Sequence, residues 1–234
     1  MKLLLTSNGF INSPLESDFL ELTSHRTNLK VAFIPTAGDP IEWVPLVEGD
    51  ASYDNYVPKL VGESSNGKGE YYDYFKSRGY DVTVVDLKVE PGIVKEKLQG
   101  MDVIFVGGGD VNYLLDWAKK SKLDTYLKDL LTKDVVYIGI SAGNGVLLPD
   151  IGLTWWKPDM KADHSGLGIV DFVVVPHQKE SDTTSNIKNL TERKAYLQSI
   201  IDFPWRVYLL QDGQAIKVIG DKIEHIGLGE KKFI

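Results

Sequence analysis

The chain contains no cysteine in its 234 residues. That excludes disulfide bonds, a thiol nucleophile and thiolate metal sites, and it fits a reducing compartment. Any nucleophile must therefore be an oxygen or an amine. Long apolar runs are missing too. The opening MKLLLTSNGF has one lysine and three leucines before Thr6, Ser7 and Asn8, too short for a signal-peptide core. Nothing later approaches the roughly 20 apolar residues that a membrane helix needs. A soluble, cytoplasmic protein is the expectation. Positive charge is in deficit, with 26 Lys and Arg against 33 Asp and Glu and a net charge of −7. Nucleic acid or an anionic membrane would normally require a dense basic face, so small solutes or peptides are the better-suited partners.

What is present reads as one α/β domain spanning residues 1–234. Its 43% hydrophobic content, 22 Gly and 10 Pro are ordinary for a globular chain. Short aliphatic or β-branched runs recur at 2–6, 30–36, 81–87, 102–108 and 135–140. Helical patterns lie between them, near 14–25, 66–78, 91–99, 110–118 and 122–132. Strands alternating with helices imply crossover connections and a mostly parallel sheet flanked by helices. Four later runs, at 171–177, 206–212, 215–220 and 222–227, follow at hairpin-like spacing and predict antiparallel strands toward the C-terminus. Residues 38–66 have no clean period and are read as a lid or an interface.

Ligands of an open α/β sheet gather beyond the carboxyl ends of the strands. Three such ends stand out. In YIGISAGNGVL, residues 137–147, Gly139-Ile140-Ser141-Ala142-Gly143 fits the G-x-S-x-G nucleophile elbow, a sharp strand-to-helix turn that exposes a serine hydroxyl. The same letters also describe a serine that merely caps a helix. In FVGGGDVNYLL, Gly107, Gly108 and Gly109 lie between a strand and a helix, where backbone amides can face an anion or a developing oxyanion. The spacing is not that of a dinucleotide fingerprint, and no lysine follows to make a P-loop. In DFVVVPHQ, His177 ends an apolar strand.

A serine nucleophile needs a base, and the chain has four histidines. His25 follows the first helix and falls at the wrong edge of the sheet, His225 sits inside an alternating strand, and His164 is a loop residue. His177 is the best base. Asp212, before Gly213 at yet another strand end, supplies a carboxylate to orient the ring, though a turn aspartate would look the same. The order Ser, His, Asp differs from the Ser, Asp, His of α/β-hydrolases.

Together these pieces resemble the peptidase E family of aspartyl dipeptidases, serine peptidases related to cyanophycinases and sharing a flavodoxin-like fold with class I glutamine amidotransferases. The resemblance rests on LLLTSNGF, VAFIPTAG, IFVGGGDVNYLL, YIGISAGNGVL, VVPHQ and LLQDGQAI, in family order across nearly the whole chain. It implies Ser141 as nucleophile, His177 as general base and then acid, and Asp212 where peptidase E has a glutamate. It also implies an oxyanion hole from the amides of Gly109 and Ala142, with Gly108, Asp110, Asp159 and Arg193 as substrate-binding candidates. Arg193 would stand for the arginine that recognises an N-terminal aspartate. The implied substrate is a short peptide, above all a dipeptide with N-terminal Asp, and no metal or organic cofactor is required. A homodimer is left open.

The departures concern specificity. The family's GGGN is GGGD here, which puts the charge of Asp110 beside the proposed oxyanion turn. SAGNG replaces SAGA, residues 38–66 look longer, and Trp155 and Trp156 fall between the elbow and His177. A cyanophycinase-like exopeptidase and an inactive binding or sensor protein are the rival readings. A glutamine amidotransferase fails outright, because its nucleophile is cysteine.

Overall fold

A computed structural model describes residues 1–45, 56–60, 69–152, 163–178 and 205–233, and at 41–45 and 56–60 the backbone alone. Its centre is a seven-stranded sheet. Five parallel strands, β1 (Lys2–Thr6), β2 (Lys30–Ile34), β5 (Asp81–Val84), β6 (Val103–Val106) and β7 (Val136–Ile140), are joined by the antiparallel pair β10 (Gln214–Ile219) and β11 (Lys222–Gly227). The strand order is β11-β10-β1-β7-β6-β2-β5.

Alternation explains why these strands lie inside. Successive residues point to opposite faces, and both faces here are apolar. Leu3, Leu5, Ala32, Ile34, Ile104, Val106 and Tyr137 enter one core, whereas Leu4, Val31, Phe33, Val103, Phe105, Val136 and Ile138 enter the other. Helices α3 (Pro91–Leu98), α4 (Val111–Lys120) and α5 (Leu123–Leu130) give Val94, Leu98, Leu114, Leu115, Ala118, Leu123 and Leu127 to the first core. Helices α1 (Leu15–Leu22) and α2 (Glu70–Ser77) cover the second with an aromatic cluster. Within it Phe33 stacks on Phe105 at 4.9 Å, and Tyr71 stacks on the same ring at 5.0 Å.

The antiparallel expectation holds for β10 and β11, which form a hairpin on the flank of β1. The other two late runs behave differently. Strands β8 (Phe172–Val175) and β9 (Arg206–Leu209) pair with each other in parallel, and β9 carries the short β12 (Lys232–Phe233) antiparallel, in a separate three-stranded sheet. Spacing alone suggested a hairpin, but the two strands run in the same direction, which a tight turn cannot connect. Within residues 38–66, β3 (Ile41–Pro45) and β4 (Tyr56–Leu60) form a two-stranded antiparallel ribbon. Among the described residues no helix is long and apolar enough to cross a membrane.

Register places the site. Thr6 on β1 is level with Ile140 on β7, and Val106 on β6 is level with Gly139. The chain segments leaving these three strands therefore emerge side by side at the carboxyl edge.

Candidate active site

Strand β7 ends in a turn that few residues tolerate. Ser141 has φ 49° and ψ −105°, a positive-φ conformation that L-residues rarely adopt, followed by the four-residue helix α6 (Ala142–Gly145). The flanking glycines are required by contact. A Cβ on Gly143 would lie 2.2 Å from the Val106 carbonyl oxygen, and one on Gly139 would lie 2.6 Å from Asn144 Oδ1. The Ser141 side chain makes no capping bond to α6. The capping alternative is thereby removed, and the hydroxyl points elsewhere.

It meets a histidine. Ser141 Oγ lies 2.9 Å from His177 Nε2, and His177 Nδ1 lies 2.9 Å from Asp212 Oδ1. The carboxylate can only accept at Nδ1, so Nδ1–H donates to Asp212 and the Nε2 lone pair faces the Ser141 hydroxyl. Both residues leave the small sheet just past its strands: β8 ends two residues before His177, and β9 ends three residues before Asp212. His177 and Asp212 keep about half of their side chains exposed, at 46% and 48%, so a substrate can reach the ring. His177 also has a positive φ, 60°. Sequence order nominates these three residues, and the structure brings them into one hydrogen-bonded line.

The glycine turn lies alongside. A Cβ on Gly108 would come 3.5 Å from the Ser141 Cβ, so this backbone borders the serine. Gly109 has φ 144°, and a Cβ there would fall 2.0 Å from the carbonyl oxygen of Ala37, in the 3-10 turn Thr36–Gly38. The amide of Asp110 donates to that same oxygen at 2.8 Å, clamping the two turns together. Among the described residues no group accepts a hydrogen bond from the Gly109 or Ala142 amide.

Asp110 also has a structural task. Its Oδ1 accepts from the amides of Asn112 and Tyr113, both at 2.9 Å, as the N-cap of α4. The carboxylate is thus held by the first turn of a helix, whose amides and dipole favour an anion. Asn144, the other departure, is fully buried. Its Nδ2 donates at 2.8 Å to the carbonyl of Thr6, which also accepts from the amide of Ser141 at 3.1 Å. The turn at Ser141 is thereby tied to β1.

Sequence reasoning passed over the end of β1. Ser7 is fully buried, and its hydroxyl donates to Asp212 Oδ1 at 2.7 Å while accepting from the His177 amide at 2.8 Å. Asn8 Oδ1 accepts from the amide of Gly213 at 2.9 Å. The available signal was two polar residues at the carboxyl end of an inner strand, inside the stretch LLLTSNGF, with nothing local to assign them a role.

The remaining histidines stay away from this line. His25 follows α1 in an exposed turn, and the His164 carbonyl accepts from Ile151. His225 on β11 meets Gln214 Oε1 through Nε2 at 3.0 Å, and burial pushes its pKa down to about 4. Asp159, Arg193, Trp155 and Trp156 lie outside the described residues. Among the described residues no group of three His, Cys, Asp or Glu is placed to share a metal ion.

A hydroxyl, an imidazole and a carboxylate in line, on an α/β sheet, define a hydrolase-type arrangement. The model of peptidase family S51 matches residues 3–226. A peptidase E of Streptomyces coelicolor is 27% identical over 223 residues, covering 95% of this chain and 82% of the relative. An uncharacterized peptidase of Listeria monocytogenes is 29% identical over 181 residues, covering 75% of this chain and 77% of the relative. The crystal structure of a peptidase from an acI-B1 Actinobacterium superposes with a TM-score of 0.67 at 16% identity, covering 100% of this chain and 93% of that one, and so shares the fold. The chain belongs to peptidase family S51. It is a serine-type peptidase with a peptidase E-like fold.

Proposed function

We propose that the protein hydrolyses short peptides, above all dipeptides with an N-terminal aspartate, through Ser141, His177 and Asp212. The observation that carries this reading is the 2.9 Å contact between Ser141 Oγ and His177 Nε2 at a strained corner. Ser141 Oγ attacks the peptide carbonyl while Nε2 of His177 takes its proton. Nδ1–H remains bonded to Asp212, whose charge stabilises the imidazolium. The amides of Gly109 and Ala142 hold the oxyanion, and His177 then passes its proton to the leaving amine. An acyl-enzyme remains on Ser141. Water, deprotonated by His177, resolves it. The reaction uses side chains, backbone amides and water, and the span of the family match supports reading residues 1–234 as one catalytic unit.

The substrate class follows from the relatives, several of which are named peptidase E. In this reading Arg193 receives the acidic side chain of the substrate. A panel of dipeptides that differ only in the first residue tests it. Preference for Asp at that position supports the assignment, and indifference to Asp overturns it.

A further inference from the structure

Three consecutive residues at the end of β1 reach all three members of the proposed catalytic line. The Thr6 carbonyl holds the amide of Ser141, Ser7 bridges His177 and Asp212, and Asn8 holds the amide of Gly213 beside Asp212. β1 is an inner strand, bonded to β7 on one side and β10 on the other, whereas His177 and Asp212 come from the smaller sheet. The serine and its base therefore sit on different sheets, and something must register one against the other.

We propose that Ser7 is a positioning residue for the peptidase reaction, setting His177 and Asp212 in line with Ser141. The proposal rests on the function argued above. Ser7 does what only a hydroxyl can do at one point: it donates to a carboxylate and accepts from an amide. Its donor goes to Asp212 Oδ1, the oxygen that also receives His177 Nδ1–H. Its acceptor takes the backbone amide of His177, a residue held at a positive φ that the chain would otherwise leave. One buried atom thus fixes the ring through its backbone and through its carboxylate partner. Asn8 adds a second anchor, because Gly213 at φ 83° is the turn residue that links Asp212 to β10.

The electrostatic consequence is separable from the structural one. With the Ser7 donor gone, Asp212 keeps more of its charge for the imidazolium, and the ring holds its proton to higher pH. Buttressing without charge sharing would lower the rate and leave the acidic limb of the pH profile in place.

The test compares Ser7→Ala, Ser7→Thr and wild type in dipeptide hydrolysis and in labelling by a small fluorophosphonate. Ser7→Ala is expected to lower kcat about 10- to 100-fold with KM little changed, as misplacement of catalytic groups does. Its acidic limb should move to higher pH, and Ser7→Thr, which keeps the hydroxyl, should retain most of kcat. Wild-type kcat in Ser7→Ala, or an unmoved acidic limb, overturns the proposal. If Ser7→Ala does not fold, hydrogen exchange of the His177 amide in the wild-type protein decides. Strong protection is expected, and exchange at an open-loop rate overturns the proposal. Loss of labelling in Ser141→Ala and His177→Ala with full labelling in Ser7→Ala would sink this proposal alone. A folded wild-type protein that neither labels nor cleaves would sink the proposed function and this inference with it.

Discussion

The Asp110 carboxylate accepts a hydrogen bond from the amide of Tyr113 at 2.9 Å, which commits the side chain to the start of α4. An asparagine oxygen can accept the same bonds, so Asp110→Asn should leave stability within about 0.5 kcal/mol of wild type. Asp110→Ala should cost about 1 kcal/mol, the usual worth of an N-cap. Denaturant titration reads both. Asp110→Asn also removes a negative charge beside the site, and should raise kcat/KM for a dipeptide with N-terminal Asp roughly threefold, a modest effect for a screened charge.

Asp212 sets the tautomer of His177. An amide in its place can present N–H to Nδ1, which moves the ring proton to Nε2, where it blocks acceptance from Ser141. Asp212→Asn should therefore lower kcat by about 10⁴ while KM holds. Steady-state kinetics on the best dipeptide checks this.

Gly109 is fixed by both conformation and space. Its φ is 144°, and any Cβ at this position would stand only 2.0 Å from the Ala37 oxygen, which leaves no room for a side chain. Gly109→Ala should cost about 2–4 kcal/mol and abolish hydrolysis. Gly213 has φ 83° but nothing within 4 Å of a Cβ, so Gly213→Ala should cost only about 1 kcal/mol. Thermal unfolding of the two variants separates contact from conformation.

Much of this site was legible in the sequence because the inner strands announce themselves. An apolar run such as Val103–Val106 is buried on both faces, and where it stops, the residues that follow must leave the sheet at its ligand-binding edge. Ser141, His177, Asp212 and the glycine turn are all nominated that way. Pairing was less legible, since the parallel contact of β8 with β9 depends on a long intervening segment rather than on local spacing. The β3–β4 ribbon hid because Pro45 and Pro58 fall within its strands, against the usual preference. Ser7 and Asn8 hid because their partners lie 170 and 205 residues away. No local pattern encodes such a contact.

His225 gives the fold a pH dependence away from the site. Burial, and secondarily the charge of Lys231, lower its pKa from 6.5 to about 4. Between those values the unfolded chain binds the proton and the folded one does not, so stability falls as pH drops through that window and is fully present above it. Because the ring is only partly buried, the loss should be about 1–2 kcal/mol rather than the full value of the shift. His225→Gln should flatten this part of the profile, as denaturant titration at pH 7 and at pH 4.5 will show.

The proposed hydrolysis depends on activation of Ser141 by His177, and covalent labelling with a small fluorophosphonate, mapped by mass spectrometry, reads that step without a substrate. A single adduct on Ser141 is expected, absent in Ser141→Ala and reduced at least about 10³-fold in rate in His177→Ala. A folded wild-type protein without an adduct, or one that labels equally fast without His177, would refute it.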